Sequence, residues 1–538
     1  MCSVAFHDPP QTMRTLSLLA LAFVATSAAA QTPCVDGTAS GYDCERVDLL
    51  AFISPQDLGT PEAGACPNPY PGLCANDVWG WTDPDTERRY AIVGLSNGTA
   101  FVDVTVPTAP VRLGVLPTAT APSSWRDVKA IGNVAVVVSE APGHGMQVFD
   151  LTRLRGLTED ATRVFNADAR YMGIGSAHNV VVNESTGYAY TVGARVASGQ
   201  NLPAACNTRG FHAVNLQDPL NPTFGGCFSD AATDVAPVIQ PGYTHDAQCI
   251  TYDGPDTDYT GREVCFAANE DVVTIFDVTD KDNVIEISQA EYPNDAYTHQ
   301  GWLTEDRRYF LTNDELDETR AVNGGDPTPL RTLVIDVSDL DAPDFAFEYR
   351  PGLASIDHNL YVVGDLAFES NYEVGLRVID LSGIDDEVLE EVAFFDTYEP
   401  SNSVNFAGQW SNYPFFGDGL VLANDGETGF FVLRLDPAVL AVGSESGPEA
   451  GPARLSDPVP NPTASGAQLT LRVETSQTVR ADLYDVAGRL VRPIFSGVAA
   501  SGDDVVLDVD TDDLPAGVYF VRVVGDEVQA ARRLVVTR

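Results

Sequence analysis

Few residues in this 538-residue chain carry reactive chemistry, and the histidines are the most regularly placed of them. Beyond His7 there are six: His144, His178, His212, His245, His299 and His358. Four stand in similar short phrases, Ala177-His178-Asn179, Thr244-His245-Asp246, Thr298-His299-Gln300 and Asp357-His358-Asn359, spaced by 67, 54 and 59 residues. Imidazoles at a regular interval, with Asp246 beside one, have the donor chemistry of a divalent-cation site, and the share of oxygen ligands separates calcium from zinc or manganese. A structural role suits the same positions, each His hydrogen-bonding the neighbouring repeat. His144 and His212 fall outside the interval and read as surface or turn residues. The sequence has no G-x-S-x-G elbow, H-E-x-x-H pair or phosphate-cradling glycine loop, so any catalysis would be built from scattered residues around such a cation.

The elements that must position these residues announce themselves by repetition. A phrase of two or three apolar residues, usually an Asp, another apolar residue and a small polar one occurs seven times. Its copies include Phe101-Val102-Asp103-Val104-Thr105, Val148-Phe149-Asp150-Leu151-Thr152, Ile275-Phe276-Asp277-Val278-Thr279 and Val378-Ile379-Asp380-Leu381-Ser382. The central positions 103, 150, 215, 277, 336, 380 and 434 are 47, 65, 62, 59, 44 and 54 residues apart. β-Branched and aromatic residues fit a buried pleated surface, and the Asp with its Thr or Ser starts a turn. One such strand per repeat, with no helical period between, predicts an all-β, seven-bladed β-propeller. Equivalent positions in a ring converge on its axis. The histidines are therefore expected at a central mouth, with Asp127 and Asn412 in the same place in blades two and seven. His178, His245, Asp246, His299 and His358 form the candidate axial site for one divalent cation, Ca or Zn. Asp127, Trp302, Trp410 and Asn412 are candidate ligand contacts, the tryptophans suited to stacking on a sugar or peptide.

Around the propeller, expected over 78–436, the chain is punctuated by composition. Arg14 precedes an apolar run from Leu16 to Ala25 and small residues up to Ala30, which reads as a secretion signal over 1–30, although the residues before Met13 are unlike one. No later run is long and apolar enough to span a bilayer. Residues 31–77 form a Cys-rich segment, in which Val47-Asp48-Leu49-Leu50-Ala51-Phe52-Ile53 is expected to supply the missing strand of the last blade. A linker rich in Gly, Ser, Glu, Pro and Ala occupies 437–454. Short strands separated by turn signals over 455–538 predict a small β-sandwich. Eight cysteines remain after Cys2, an even number that suits disulfides in an exported chain, with nearest neighbours paired: Cys34 with Cys44, Cys66 with Cys74, Cys206 with Cys227 and Cys249 with Cys265. The net charge of -46, with Lys129 and Lys281 the only lysines, excludes nucleic acid as a partner and suits cations or a saline medium. The acidic runs Asp253–Asp258 and Asn313–Glu318 read as solvated loops in preference to cation sites, although the alternating oxygens of the first could wrap calcium without the distal Glu of an EF-hand.

Two stretches resemble known families. Pro460-Asn461-Pro462, Leu483-Tyr484-Asp485-Val486-Ala487-Gly488-Arg489-Leu490, Leu514-Pro515-Ala516-Gly517-Val518-Tyr519 and Leu534-Val535-Val536 resemble the type A sorting domain of type IX secretion. The resemblance implies recognition by the secretion machinery at the outer membrane, removal of the domain and attachment to surface polysaccharide. Leu333-Val334-Ile335-Asp336-Val337, with Thr244-His245-Asp246-Ala247-Gln248, Thr298-His299-Gln300-Gly301-Trp302 and Gln409-Trp410-Ser411-Asn412-Tyr413-Pro414, resembles the LVIVD-type repeats of the choice-of-anchor B family, which implies a propeller and no particular activity. The expectation is an exported cell-surface module that binds an extracellular protein or glycan. The alternative is a metal-dependent hydrolase or lyase with its site at the axis, where Asp246 or Asp127 would be the base.

Overall fold

The computed structural model describes residues 31–60, 66, 72–160, 162–230, 242–319 and 329–440. In the C-terminal domain it describes 453–456, 458–473, 475–485, 490–512, 514–525 and 529–537. The expected secretion signal (1–30) and residues 441–452 of the expected linker lie outside them. Each repeated phrase forms the third strand of an antiparallel sheet. These strands are Gly98–Asp103, Met146–Asp150, Phe211–Asn215, Val273–Asp277, Thr332–Asp336, Leu376–Asp380 and Gly429–Leu435. The two apolar residues before the central position point to opposite faces, as strand geometry requires. The first reaches the next blade and the second the preceding one: Phe101 packs between blades one and two, and Val102 between blades seven and one. Val334 and Ile335 do the same on either side of blade five. A strand buried on both faces needs adjacent apolar residues rather than alternation, which is why the phrase is visible in sequence.

The central Asp or Asn of the phrase closes six of the third strands, and Asp436, two residues past Arg434, closes the seventh. Oδ1 of Asp103, Asp150, Asn215, Asp277, Asp336, Asp380 and Asp436 accepts the backbone N–H two residues on, at 2.8–3.0 Å. This is an Asx turn in every blade. The first strands contact one another in sequence and the last contacts the first, so the ring is closed. Side chains latch neighbouring inner strands. Asp77 accepts from Val128 N, Asp127 from Val180 N, Gln248 from Leu303 N and Gln300 from Leu360 N. Asn424 donates to the carbonyl of Asn76 across the closure.

The closure itself is made by the two ends of the propeller chain. Val47–Ile53 pairs antiparallel with Gly429–Leu435, from Val47 opposite Leu435 to Ile53 opposite Phe430, and completes the seventh sheet. A sheet edge is thereby removed. Thr38–Ala39 and Tyr42–Glu45 extend the sixth sheet to six strands. The disulfides are Cys34–Cys44, Cys66–Cys74, Cys206–Cys227 and Cys249–Cys265, and the last joins residues directly opposite on adjacent strands. The C-terminal domain is a sandwich of a three-stranded and a four-stranded sheet around Leu469, Leu471, Leu483, Leu507, Val521 and Leu534.

Candidate metal and ligand site at the channel mouth

In each blade the first two strands run antiparallel, so the start of the first and the end of the second meet at one end of the channel. His178 precedes Asn179–Asn183, His245 precedes Asp246–Thr251, His299 is the second residue of Thr298–Leu303, and His358 lies two residues before Leu360–Val363. From the second strands come Glu140 after Val134–Ser139, Glu270 after Glu263–Ala268, Glu315 after Tyr309–Asp314 and Tyr372 after Leu366–Ser370. These eight residues line a cavity of about 380 Å³ together with Trp410 and Arg209.

The four imidazoles form an arc. Ring centroids are 4.2 Å apart from His178 to His245, 4.2 Å from His245 to His299 and 4.4 Å from His299 to His358, with Trp410 4.8 Å beyond. Nδ1 of His245 is 2.9 Å from the carbonyl of His299, and Nδ1 of His358 is 2.5 Å from the carbonyl of Trp410. A carbonyl only accepts, so Nδ1 carries the proton in both and Nε2 presents its lone pair. His178 Nδ1 meets Glu140 Oε1 at 2.8 Å. Burial holds His245 and His299 far below the ordinary imidazole range, aided by the neighbouring rings, and brings His358 down to about 3. These three rings are therefore neutral, the form that binds metal. In His245 and His358, Nδ1 ties one blade to the next, the structural role foreseen for the histidines, and leaves Nε2 as the ring's other donor atom.

Glu315 completes a donor set. Its Oε2 lies 3.8 Å from Nε2 of His299 and its Oε1 3.8 Å from Nε2 of His358. Tyr372 donates its hydroxyl to Oε1 at 2.8 Å, and burial pushes the carboxyl up to about 7. Ligand atoms of His299, Glu315 and His358 all lie within 4.8 Å of one another. Donors around a tetrahedral zinc stand about 3.4 Å apart, so the set has to close by up to about an ångström to hold the ion. The nitrogen-rich set fits the zinc class rather than calcium, which takes oxygen alone.

Several expected site residues lie elsewhere. Asp127 is deeper in the channel, where its Oδ1 takes the Lys129 ammonium at 2.6 Å and its Oδ2 the amide of Val180 at 2.6 Å. Asp246, next to His245, faces the other way along the strand. It accepts from the amide of Ala247, feels Lys129, and is pushed by burial to about 6. Asn412 donates to the carbonyl of Phe368 and the hydroxyl of Ser370, a blade-to-blade latch. Trp302 packs against Tyr361 and Phe415, away from the mouth. Of the expected ligand contacts only Trp410 lines the cavity. His144 and His212 are core residues rather than surface ones. His144 meets Arg126 at 3.0 Å and His212 meets the Tyr171 hydroxyl at 2.8 Å, both buried. The sulfurs near His212 belong to the Cys206–Cys227 disulfide and offer no thiolate.

Glu140, Glu270, Glu315 and Tyr372 were not foreseen as mouth residues. Their signal is a second period, an acidic or aromatic residue one or two positions after the second strand of its blade.

Residues 459–537 match the family described as the secretion system C-terminal sorting domain, which directs export by the type IX machinery to the cell surface or extracellular space. No curated protein matches the chain. Among solved structures it is similar to U3-55K, at 11% identity and a TM-score of 0.40 over 68% of this chain and 95% of that one. It is also similar to the β-propeller domain of Cps50 (Swd1) from Myceliophteria thermophila, at 11% identity and a TM-score of 0.41 over 67% and 97%. Neither likeness bears on what the chain does. No helix among the described residues is long and apolar enough to cross a membrane.

Proposed function

We propose that the propeller is a surface binding module that takes its extracellular protein or glycan ligand at the axial mouth, through one divalent ion of the zinc class. His299, Glu315 and His358 hold the ion, with His245 next in the arc. The observation that carries this reading is the arrangement around Glu315: two neutral imidazoles present Nε2 to one partly buried carboxylate, and His358 is oriented by a carbonyl at its Nδ1. Such outer hydrogen bonds orient metal-bound histidines generally. Trp410 beside His358 offers a face on which a sugar or aromatic group stacks. The LVIVD-type repeats support a place in the choice-of-anchor B family. The sorting domain supports attachment to surface polysaccharide after its removal.

A second reading, a metal-dependent hydrolase or lyase, draws on the ligand count. Three protein ligands with a further position open is the pattern of catalytic rather than structural zinc. Asp127 and Asp246 are turned away from the mouth, so the base in that reading is Glu140 or Glu270. Metal analysis of the purified chain tests both readings. The wild type should hold one equivalent of zinc after loading and dialysis, and His299→Ala and Glu315→Gln should hold none. Equal retention by all three refutes the site, and hydrolysis of chromogenic esters or phosphate esters by the loaded wild type alone favours the enzyme.

A further inference from the structure

The run Asn313–Glu318, expected as a solvated loop, is largely buried. Asp314 and Asp317 are 0% exposed, Glu318 is 1% and Asp357, from the segment before blade six, is 2%. Among the described residues one cation serves this group: Arg331, itself 0% exposed, pairs with Asp317 at 2.5 Å and lies 3.9 Å from Asp314. Asp314 also accepts from the Tyr292 hydroxyl and from the amides of Ala296 and Tyr297. That leaves Glu318 and Asp357. Both carboxylate oxygens of each are buried, and among the described residues none meets a well-placed donor, the backbone N–H of Glu318 itself lying closest to its carboxylate. The two carboxyls nevertheless stand within hydrogen-bonding reach of each other, and Glu318 within reach of Asp317.

Four buried oxygens without a well-placed donor among the described residues are a large free-energy cost, since buried polar groups are otherwise hydrogen-bonded and buried charges paired. A single shared proton bridges two of the four oxygens and leaves two unsatisfied. A hard divalent cation takes all four, because calcium accepts bidentate carboxylates and fills its shell with water or carbonyls. We propose that Glu318 and Asp357 bind calcium in a site separate from the zinc-class site at the mouth. The donors are oxygen alone, which selects calcium or magnesium over zinc, and two bidentate carboxylates favour the larger, more flexible shell of calcium. The site has a structural consequence: Glu318 shares a turn with Glu315, and Asp357 precedes His358, so the ion pins together the two segments that carry mouth ligands.

Calcium titration and thermal unfolding of the full chain test this after chelator treatment, with wild type, Glu318→Gln, Asp357→Asn and, as control, His299→Ala. Calcium should bind wild type and His299→Ala at one equivalent and raise their Tm. Binding to Glu318→Gln and Asp357→Asn should be at least tenfold weaker, with no calcium-dependent rise in Tm. Failure of zinc binding in the control with calcium binding intact separates this site from the mouth. A wild type whose Tm ignores calcium overturns the proposal, as do variants that are more stable than wild type at every calcium concentration, the sign of a neutralised acid pair. Terbium luminescence displaced by calcium in wild type provides a readout independent of variant folding, and its absence overturns the proposal too.

Discussion

Replacing Lys129 with Met would expose how the channel tolerates its buried acids. The ammonium lies 2.8 Å from Asp77 and 2.6 Å from Asp127, all three buried, and 4.9 Å from the centre of the Trp79 ring. Burial opposes ionisation of Asp77, but the Lys129 charge and hydrogen bonds outweigh it and hold its carboxyl low; on Asp127 burial prevails and pushes the carboxyl up. Met keeps the stem and removes the charge, leaving two adjacent carboxylates in a low-dielectric channel. Removing one partner of a buried ion pair costs about 3–5 kcal/mol, and two carboxylates share this one, so the upper end is expected. The sign of the pH dependence follows. Without the ammonium both folded-state carboxyls titrate above their unfolded values, so the folded protein takes up protons first and Lys129→Met gains stability as pH falls from about 7 to about 5. The triple variant Lys129→Met, Asp77→Asn, Asp127→Asn retains side-chain oxygens for the amides of Val128 and Val180 and should recover most of the loss. Denaturant unfolding at the two pH values reads all of this. A single-variant loss below about 1 kcal/mol, or a loss that deepens on acidification, would refute the reasoning.

Further perturbations probe other parts of the structure. Arg155, Thr86 and the amide of Asp85 outweigh the cost of burial and hold the Asp83 carboxyl at about 2, against an ordinary 3.8. Its contribution is thus complete above the unfolded value and lost as pH falls through about 2, so Asp83→Asn should flatten the acid limb of a Tm-against-pH curve between those values. Replacing Cys249 and Cys265 together by Ala opens a loop with a sequence separation of 16 and should cost about 3 kcal/mol, read by denaturant midpoint. Deleting residues 453–538 should abolish surface delivery with the propeller still folded, and mass spectrometry of surface-exposed wild type should find a C-terminus within 441–452.

The repeat was legible because a strand buried on both faces cannot alternate: Val148 and Phe149 are adjacent apolar residues reaching different neighbours. The closing strand was legible because Val47–Ile53 has a strand composition with no local partner, and its partner lies at the other end of the ring. The arc of histidines was legible because His is rare in the chain and recurs at the blade interval. The level within the channel was not legible. A shift of one residue along a strand turns a side chain to the opposite face, so Asp246 is lost to the mouth while His245 stays. Glu315 and Glu318 were hidden by company: a run of acids has the composition of a solvated loop, and only packing between distant segments buries it. Asp127 looked like a ligand because it stands one residue beyond the position of the histidines, and that one step, with Lys129 two residues on, makes it part of an ion pair.

The most direct test of the mouth is anomalous diffraction at the zinc edge from crystals soaked in zinc. The arrangement predicts one peak bounded by Nε2 of His299, Nε2 of His358 and the carboxylate of Glu315, absent from crystals of His358→Ala. A map without a peak there, or one with its density at other groups, would contradict it.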